Sequence, residues 1–252
     1  MTFLSSSRSH ERRVAALAGR AESGEESPHS KGAVAFALCL LFSISGAQAA
    51  ERLTVPEAEK LIDAHIRAAT PTMNPAAKFP VKELTTDEVW KRMSVQVFQV
   101  TGGVRECETF LVRGGKEVRP LGIGFGGSGV MSLCIADLDR DGKPELVYTY
   151  SWGSGDHRSH AAVYREKDGK VQEAVVPFAF KGDMFASSFP DGSVEVEIGR
   201  YRQQVNRWIK TGRLGKLSIS EKDGKLQADV AIRANLPDEM RKDIWKTTLP
   251  AR

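Results

Sequence analysis

The spacing of apolar residues changes along this chain. Leu61, Ile62, Ile66 and Ala69 recur three and four residues apart. Positions so spaced share one helix face, which predicts an amphipathic helix. Thr54 with Glu57 is a capping-box pair ahead of it, Pro56 occupies the first turn, and Thr70-Pro71 ends the run. His65 falls beside the apolar face and reads as a packed side chain. Pro71 to Pro80 is a linker, and Thr85 with Glu88 starts a short helix through Val89, Trp90 and Met93.

From Val95 the period becomes two. Val95 and Val97 alternate with Phe98 and Val100, so both faces of this strand are partly apolar. Alternating runs then meet at turn dipeptides: Gly114-Gly115, Asp168-Gly169, Pro190-Asp191-Gly192 and Asp223-Gly224. Such dipeptides supply the positive φ values that tight hairpins need. Two hairpins read almost alike, Glu166-Lys-Asp-Gly-Lys-Val-Gln172 and Glu221-Lys-Asp-Gly-Lys-Leu-Gln227. Pro237 to Trp245 is helix-like. The predicted fold is mostly β with an α+β flavour, an antiparallel hairpin meander closing into a barrel or sandwich behind N-terminal helices.

The N-terminal segment changes the picture of compartment. Lys31 precedes an apolar stretch, Ala33 to Ile44, broken only by Ser43, and Ala47-Gln48-Ala49 supplies small residues for cleavage. This is the pattern of an export signal, with cleavage expected after Ala49. Residues 1–31 form a polar extension, 32–49 the signal core and cleavage site, 50–94 a helical segment and 95–252 the β-rich domain. The polar extension is either an unusually long signal n-region or the product of a start codon read too far upstream. The reading is therefore a periplasmic, secreted or cell-surface protein with no membrane span after cleavage.

Composition excludes several classes. The chain has 252 residues, of which 41% are apolar and 27% charged. Those are globular values, far from disordered or multi-span membrane chains. A net charge of +4, from 36 basic and 32 acidic residues, is too balanced for a nucleic-acid binder. Of the three cysteines, Cys39 leaves with the signal. Cys107 and Cys134 remain, and an even pair in an exported chain is read either as a disulfide or as two buried thiols.

The sharpest chemistry lies in Asp137-Leu-Asp139-Arg-Asp141-Gly142-Lys143-Pro-Glu145-Leu146. Ca²⁺ takes six to eight oxygens, and alternate residues of a curled loop converge on one centre. Asp137, Asp139, Asp141 and Glu145 would supply carboxylates, and Lys143 its backbone carbonyl. Four crowded carboxylates repel one another unless a cation joins them. Tyr148 stands where a helix–loop–helix site places its bidentate glutamate, and the flanks are β-branched, aromatic and apolar. The loop is therefore expected between two strands. Asp-x-Asp-x-Asp-Gly-x-x-Glu-Leu so flanked resembles the calcium loop of the FG-GAP and VCBS-type repeats of integrin-like propellers. The resemblance covers about residues 131–150, in one copy, and implies a mainly structural Ca²⁺ site on those five residues.

Other constellations are weaker. Ser151 to His160 offers Asp156, His157 and His160 as metal ligands or acid–base groups, with Trp152 as a stacking surface. It reads equally as an exposed turn. Gly122-x-Gly124-x-x-Gly127 matches a dinucleotide fingerprint in letters but lacks a strand–turn–helix setting. Arg200 to Lys216 is basic, with Tyr201 and Trp208 within it, and reads as an anion or glycan contact or as a solvated strand face. The sequence thus points to an exported non-catalytic binding or structural domain with one Ca²⁺ site and a cell-surface protein or glycan as partner. The alternatives are an exported hydrolase using the 151–160 loop and a carbohydrate-binding module presenting Trp152, Tyr150 or Trp208.

Overall fold

A computed structural model describes residues 51–123, 126–153, 157–202 and 207–247. The polar extension, the signal segment, Gly124 and Asp156 lie outside the described residues, as do the side chains of Tyr201 and Trp208.

Helix α1 (Val55–Ala69) begins at the Thr54–Glu57 capping box and buries Ala58, Ile62 and Ile66, one residue per turn. Fully burying the two isoleucines contributes roughly 1.5–3 kcal/mol each. β1 (Val81–Glu83) follows the linker, then α2 (Asp87–Met93). The cap of α2 is Thr86, whose hydroxyl accepts from the Val89 N–H, and not the expected Thr85. The reason is local: the Thr85 hydroxyl accepts from the Val97 N–H at 2.7 Å and fastens the chain to the next strand.

Three antiparallel sheets follow from the remaining strands. The first is the meander β1, β2 (Val95–Val100), β3 (Thr109–Arg113), β4 (Glu117–Leu121). The second contains β5 (Gly129–Ala136), β6 (Glu145–Trp152), β7 (Arg158–Lys167), β8 (Lys170–Val175), β9 (Phe178–Lys181) and β14 (Ile244–Lys246). Its order is β14-β9-β7-β6-β5, with β8 also paired to β7. The third is the meander β10 (Asp183–Ser188), β11 (Val194–Arg202), β12 (Arg207–Lys222), β13 (Lys225–Ile232). The predicted terminal helix is shorter than the pattern proposed: α3 (Asp238–Lys242) gives way to β14, so Trp245 is a strand residue.

The sheets stack, and period two explains why. On β6, Leu146, Tyr148 and Tyr150 meet Val95, Val97 and Leu111 of the first sheet. Val147 faces the other way, into a core shared with Val194, Val196 and Val230 of the third. The first sheet turns its outer face, Phe98, Val100, Phe110 and Val112, to α1. The order of layers is helix, sheet, sheet, sheet. The architecture is sandwich-like, and among the described residues no sheet closes into a barrel. Two polar side chains link the second and third sheets: Thr149 Oγ1 donates to the Met184 carbonyl at 2.7 Å, and Ser132 Oγ accepts from the Ala186 N–H at 2.8 Å. No helix among the described residues is long and apolar enough to cross a membrane.

Two of the three glycines that imitate a dinucleotide fingerprint, Gly122 and Gly127, serve packing. An added Cβ on Gly122 would strike the Tyr150 ring, and one on Gly127 would strike the Ser151 carbonyl and the Trp152 backbone. Overpacking against backbone typically costs about 1–3 kcal/mol. Gly127→Ala is therefore expected to lower stability by that amount, read as a reduced urea midpoint with an unchanged slope.

No disulfide joins Cys107 and Cys134. Cys107 sits in the turn before β3, whereas Cys134 lies on β5 against the core between the second and third sheets.

Candidate metal centre

The acidic loop joins β5 to β6, where Ala136 and Glu145 form the last cross-strand pair. Backbone N–H groups hold it curled. Gly142 donates to Asp137 Oδ2 at 3.0 Å, Asp141 to Asp139 Oδ1 at 3.3 Å, Lys143 to Asp141 Oδ1 at 2.8 Å and Leu138 to Glu145 Oε2 at 2.8 Å. Gly142 has φ 86°, in the left-handed region, and a Cβ there would meet nothing. Backbone conformation rather than space therefore demands glycine at this position.

Three of the expected ligands converge. Oxygens of Asp137, Asp139 and Glu145 lie within 4.8 Å of one another. Ligands around one Ca²⁺ stand no farther apart than twice the metal–oxygen distance, roughly 5 Å. The other two differ. Asp141 is exposed, outside the convergent trio, with its carboxylate accepting from Lys143. Lys143 is exposed, and its N–H closes that small turn.

The electrostatics favour a cation. Glu145 is 2% exposed. Burial above all, then Asp139, Asp141 and Asp137, pushes its carboxyl up to about 7, against the pull of the Leu138 N–H. Asp137 Oδ1 is buried and has no hydrogen-bond partner among the described residues. A buried carboxylate oxygen left bare is costly unless something binds it.

Sequence reasoning missed one residue here. Arg165 on β7 is 4% exposed. Its guanidinium reaches Asp139 Oδ2 at 3.3 Å, Gln172 Oε1 at 2.8 Å and Glu221 Oε2 at 2.8 Å. It neutralises part of the loop charge from outside the trio. The signal available was an arginine closing the otherwise apolar run Ala161 to Tyr164, which marks a buried charge in need of partners. The two look-alike hairpins meet at the same place. Gln172 Nε2 donates to the Gly224 carbonyl at 2.9 Å, and Lys167 pairs with Glu221 at 3.1 Å.

The histidine pair of the 151–160 loop is divided between layers. His157 is partly exposed and stands 4.0 Å from Asp183 on β10. Asp183 is 3% exposed, and burial raises its carboxyl above the usual range, opposed by His157 and Ser151. His160 is fully buried, stacked on Tyr150 at 5.3 Å and Trp152 at 6.2 Å on the other side of the sheet. Burial, with help from Arg158, lowers its pKa to about 4 despite the Phe178 and Val176 carbonyls nearby. The two imidazoles do not share a ligand position, and the acidic trio is the metal-type cluster found among the described residues. Tyr150 is 1% exposed and presents no surface for stacking a sugar, contrary to that expectation.

No known family model, curated protein or solved structure matches the chain.

Proposed function

We propose that this chain is an exported, non-catalytic β-rich domain in which one structural Ca²⁺ fastens the β5–β6 loop, and that it serves binding or architecture at or outside the cell surface. The observation that carries the metal is the convergence of Asp137, Asp139 and Glu145 oxygens within 4.8 Å, around a buried and unsatisfied Asp137 oxygen. Asp141 and the Lys143 carbonyl complete the set that the FG-GAP and VCBS-type resemblance implies. The strand–loop–strand setting supports the same reading. Export rests on the segment 32–49, and a cell-surface protein or glycan is the partner class that follows from it.

Extracellular modules bind Ca²⁺ with a dissociation constant of roughly 10⁻⁴–10⁻³ M. A ligand that binds only the folded state at about 100 times that constant stabilises by roughly 2.7 kcal/mol. Millimolar Ca²⁺ is expected to raise the melting temperature by several degrees over chelator, with Mg²⁺ giving less because it holds its waters tightly. Equal melting temperatures together with a flat calorimetric titration would overturn the reading.

A second reading, an exported hydrolase working through the 151–160 loop, is favoured by one observation. Asp183 lies beside His157, the carboxylate–imidazole arrangement that orients a general base. Loss of a hydrolytic activity in His157→Ala, with melting unchanged, is the outcome that would choose it over the first.

A further inference from the structure

On the face of the second sheet turned to the first, the shared core takes in β5, β6 and, on β7, Ala162 and Tyr164, and the start of β7 lies at its border beside β9. Arg158, Trp152 and Trp245 stand together at this border. Arg158 is paired in register with Trp152 on one side and with Lys181 on the other, so all three side chains share a face. The Arg158 guanidinium lies 5.5 Å from the centre of the Trp152 ring and 4.4 Å from that of Trp245. Trp245 keeps 37% of its surface exposed.

This arrangement is unusual in what it leaves open. A guanidinium is planar, and aromatic rings hold it by its flat faces while its N–H groups point outward in the plane. Among the described residues no carboxylate meets Arg158, whereas Arg52, Arg105, Arg113, Arg165 and Arg213 each hold one. The two rings hold the guanidinium between them and so remove part of the entropy that a free arginine would lose on binding. A fixed fork matches the two oxygens of a carboxylate. The open part of Trp245 beside it offers an electron-rich surface to polarised C–H groups.

We propose that Arg158, Trp152 and Trp245 form a binding site for an acidic sugar, a pyranose ring bearing a carboxylate. The carboxylate sits on the Arg158 fork and the ring lies on Trp245. A sugar fits better than an acidic peptide. The adjoining sheet edge is β14, a strand of three residues, too short a ladder to hold a peptide by main-chain pairing. The site shares no residue with the metal loop.

The test is calorimetric titration of the full chain, in chelator, with the trisaccharides of galacturonate, glucuronate and mannuronate. A neutral glucose trisaccharide and triglutamate serve as comparators. At least one uronate is expected to bind, with the neutral sugar and triglutamate each at least about tenfold weaker. Arg158→Lys keeps the charge and loses the fork, and is expected to weaken uronate binding about tenfold or more. Trp245→Ala removes the open ring face, is expected to lower the melting temperature modestly while the chain stays folded, and is expected to weaken binding several-fold. The proposal is overturned if none of the three uronates binds, if triglutamate binds as tightly, or if either variant keeps full affinity. Because the titration is run without Ca²⁺, its failure is separate from any failure of the metal reading, which is decided by melting.

Discussion

Glu145→Gln is expected to stabilise the metal-free protein and to erase its response to Ca²⁺. The carboxyl is 2% exposed and its pKa is raised from 4.5 to about 7. A folded-state pKa above the unfolded one means that ionisation works against folding. The penalty is absent below pH 4.5, grows as pH rises and is complete above about 7. A shift of that size corresponds to about 3 kcal/mol at most. Glutamine keeps the acceptor for the Leu138 N–H and nearly the same volume, and cannot ionise. Its amide N–H groups must still find partners, so a gain of about 1–3 kcal/mol is expected at pH 7.5 in chelator. For a domain of this size that is roughly 3–10 °C in melting temperature. With Ca²⁺ the order reverses, because the wild type has the charged oxygen that the cation needs and the variant does not. A variant that melted like the wild type in chelator and kept the full Ca²⁺ gain would sink the assignment of Glu145 as a ligand.

The acid sensitivity that His160 confers is expected to surface only once Glu145 is neutralised. His160 has a folded pKa of about 4 against an ordinary 6.5. The unfolded chain takes up a proton below 6.5 and the folded one only below about 4. Stability from this group is thus complete above pH 6.5 and is lost as pH falls, by about 2–3 kcal/mol near pH 4.5. Glu145 runs in the opposite sense over nearly the same window. In the metal-free wild type the two offset each other. In Glu145→Gln the loss on acidification should stand alone, and adding His160→Phe should flatten it. Phenylalanine retains the stack on Tyr150 and Trp152 and gives up only the approach of the ring to the Phe178 and Val176 carbonyls. Urea denaturation at pH 7, 5.5 and 4.5 measures all three proteins. Parallel curves for Glu145→Gln with and without His160→Phe would show that His160 does not titrate as argued.

Local features of the fold were legible in the sequence. Asp168-Gly169 and Asp223-Gly224 turn where the dipeptides predict, with positive φ at all four residues. The capping box of α1 forms because Thr54 and Glu57 need only each other. The alternation on β2 correctly announced a strand with two apolar faces. What alternation alone does not encode is which sheet each face meets, so the stack of three sheets behind α1 was not readable. Thr86 displaced Thr85 as a cap because a long-range partner, Val97, competed for the Thr85 hydroxyl. The carboxylates of the loop were readable because they are close in sequence. Arg165, Asp183 and Trp245 reach their partners across strands brought together only by folding, so even where a local signal exists, as for Arg165, it does not announce which partners those are.

The guanidinium of Arg165 has a consequence for local opening. It is shared by the acidic loop, the β7–β8 hairpin and the tip of the β12–β13 hairpin. Pulling any one of these segments away would strand a nearly buried cation with fewer partners, which raises the free energy of that excursion. Three hairpin ends that would otherwise fray on their own are thereby joined into one cooperative unit. A fluctuation at the loop is therefore coupled to the tip of the third sheet.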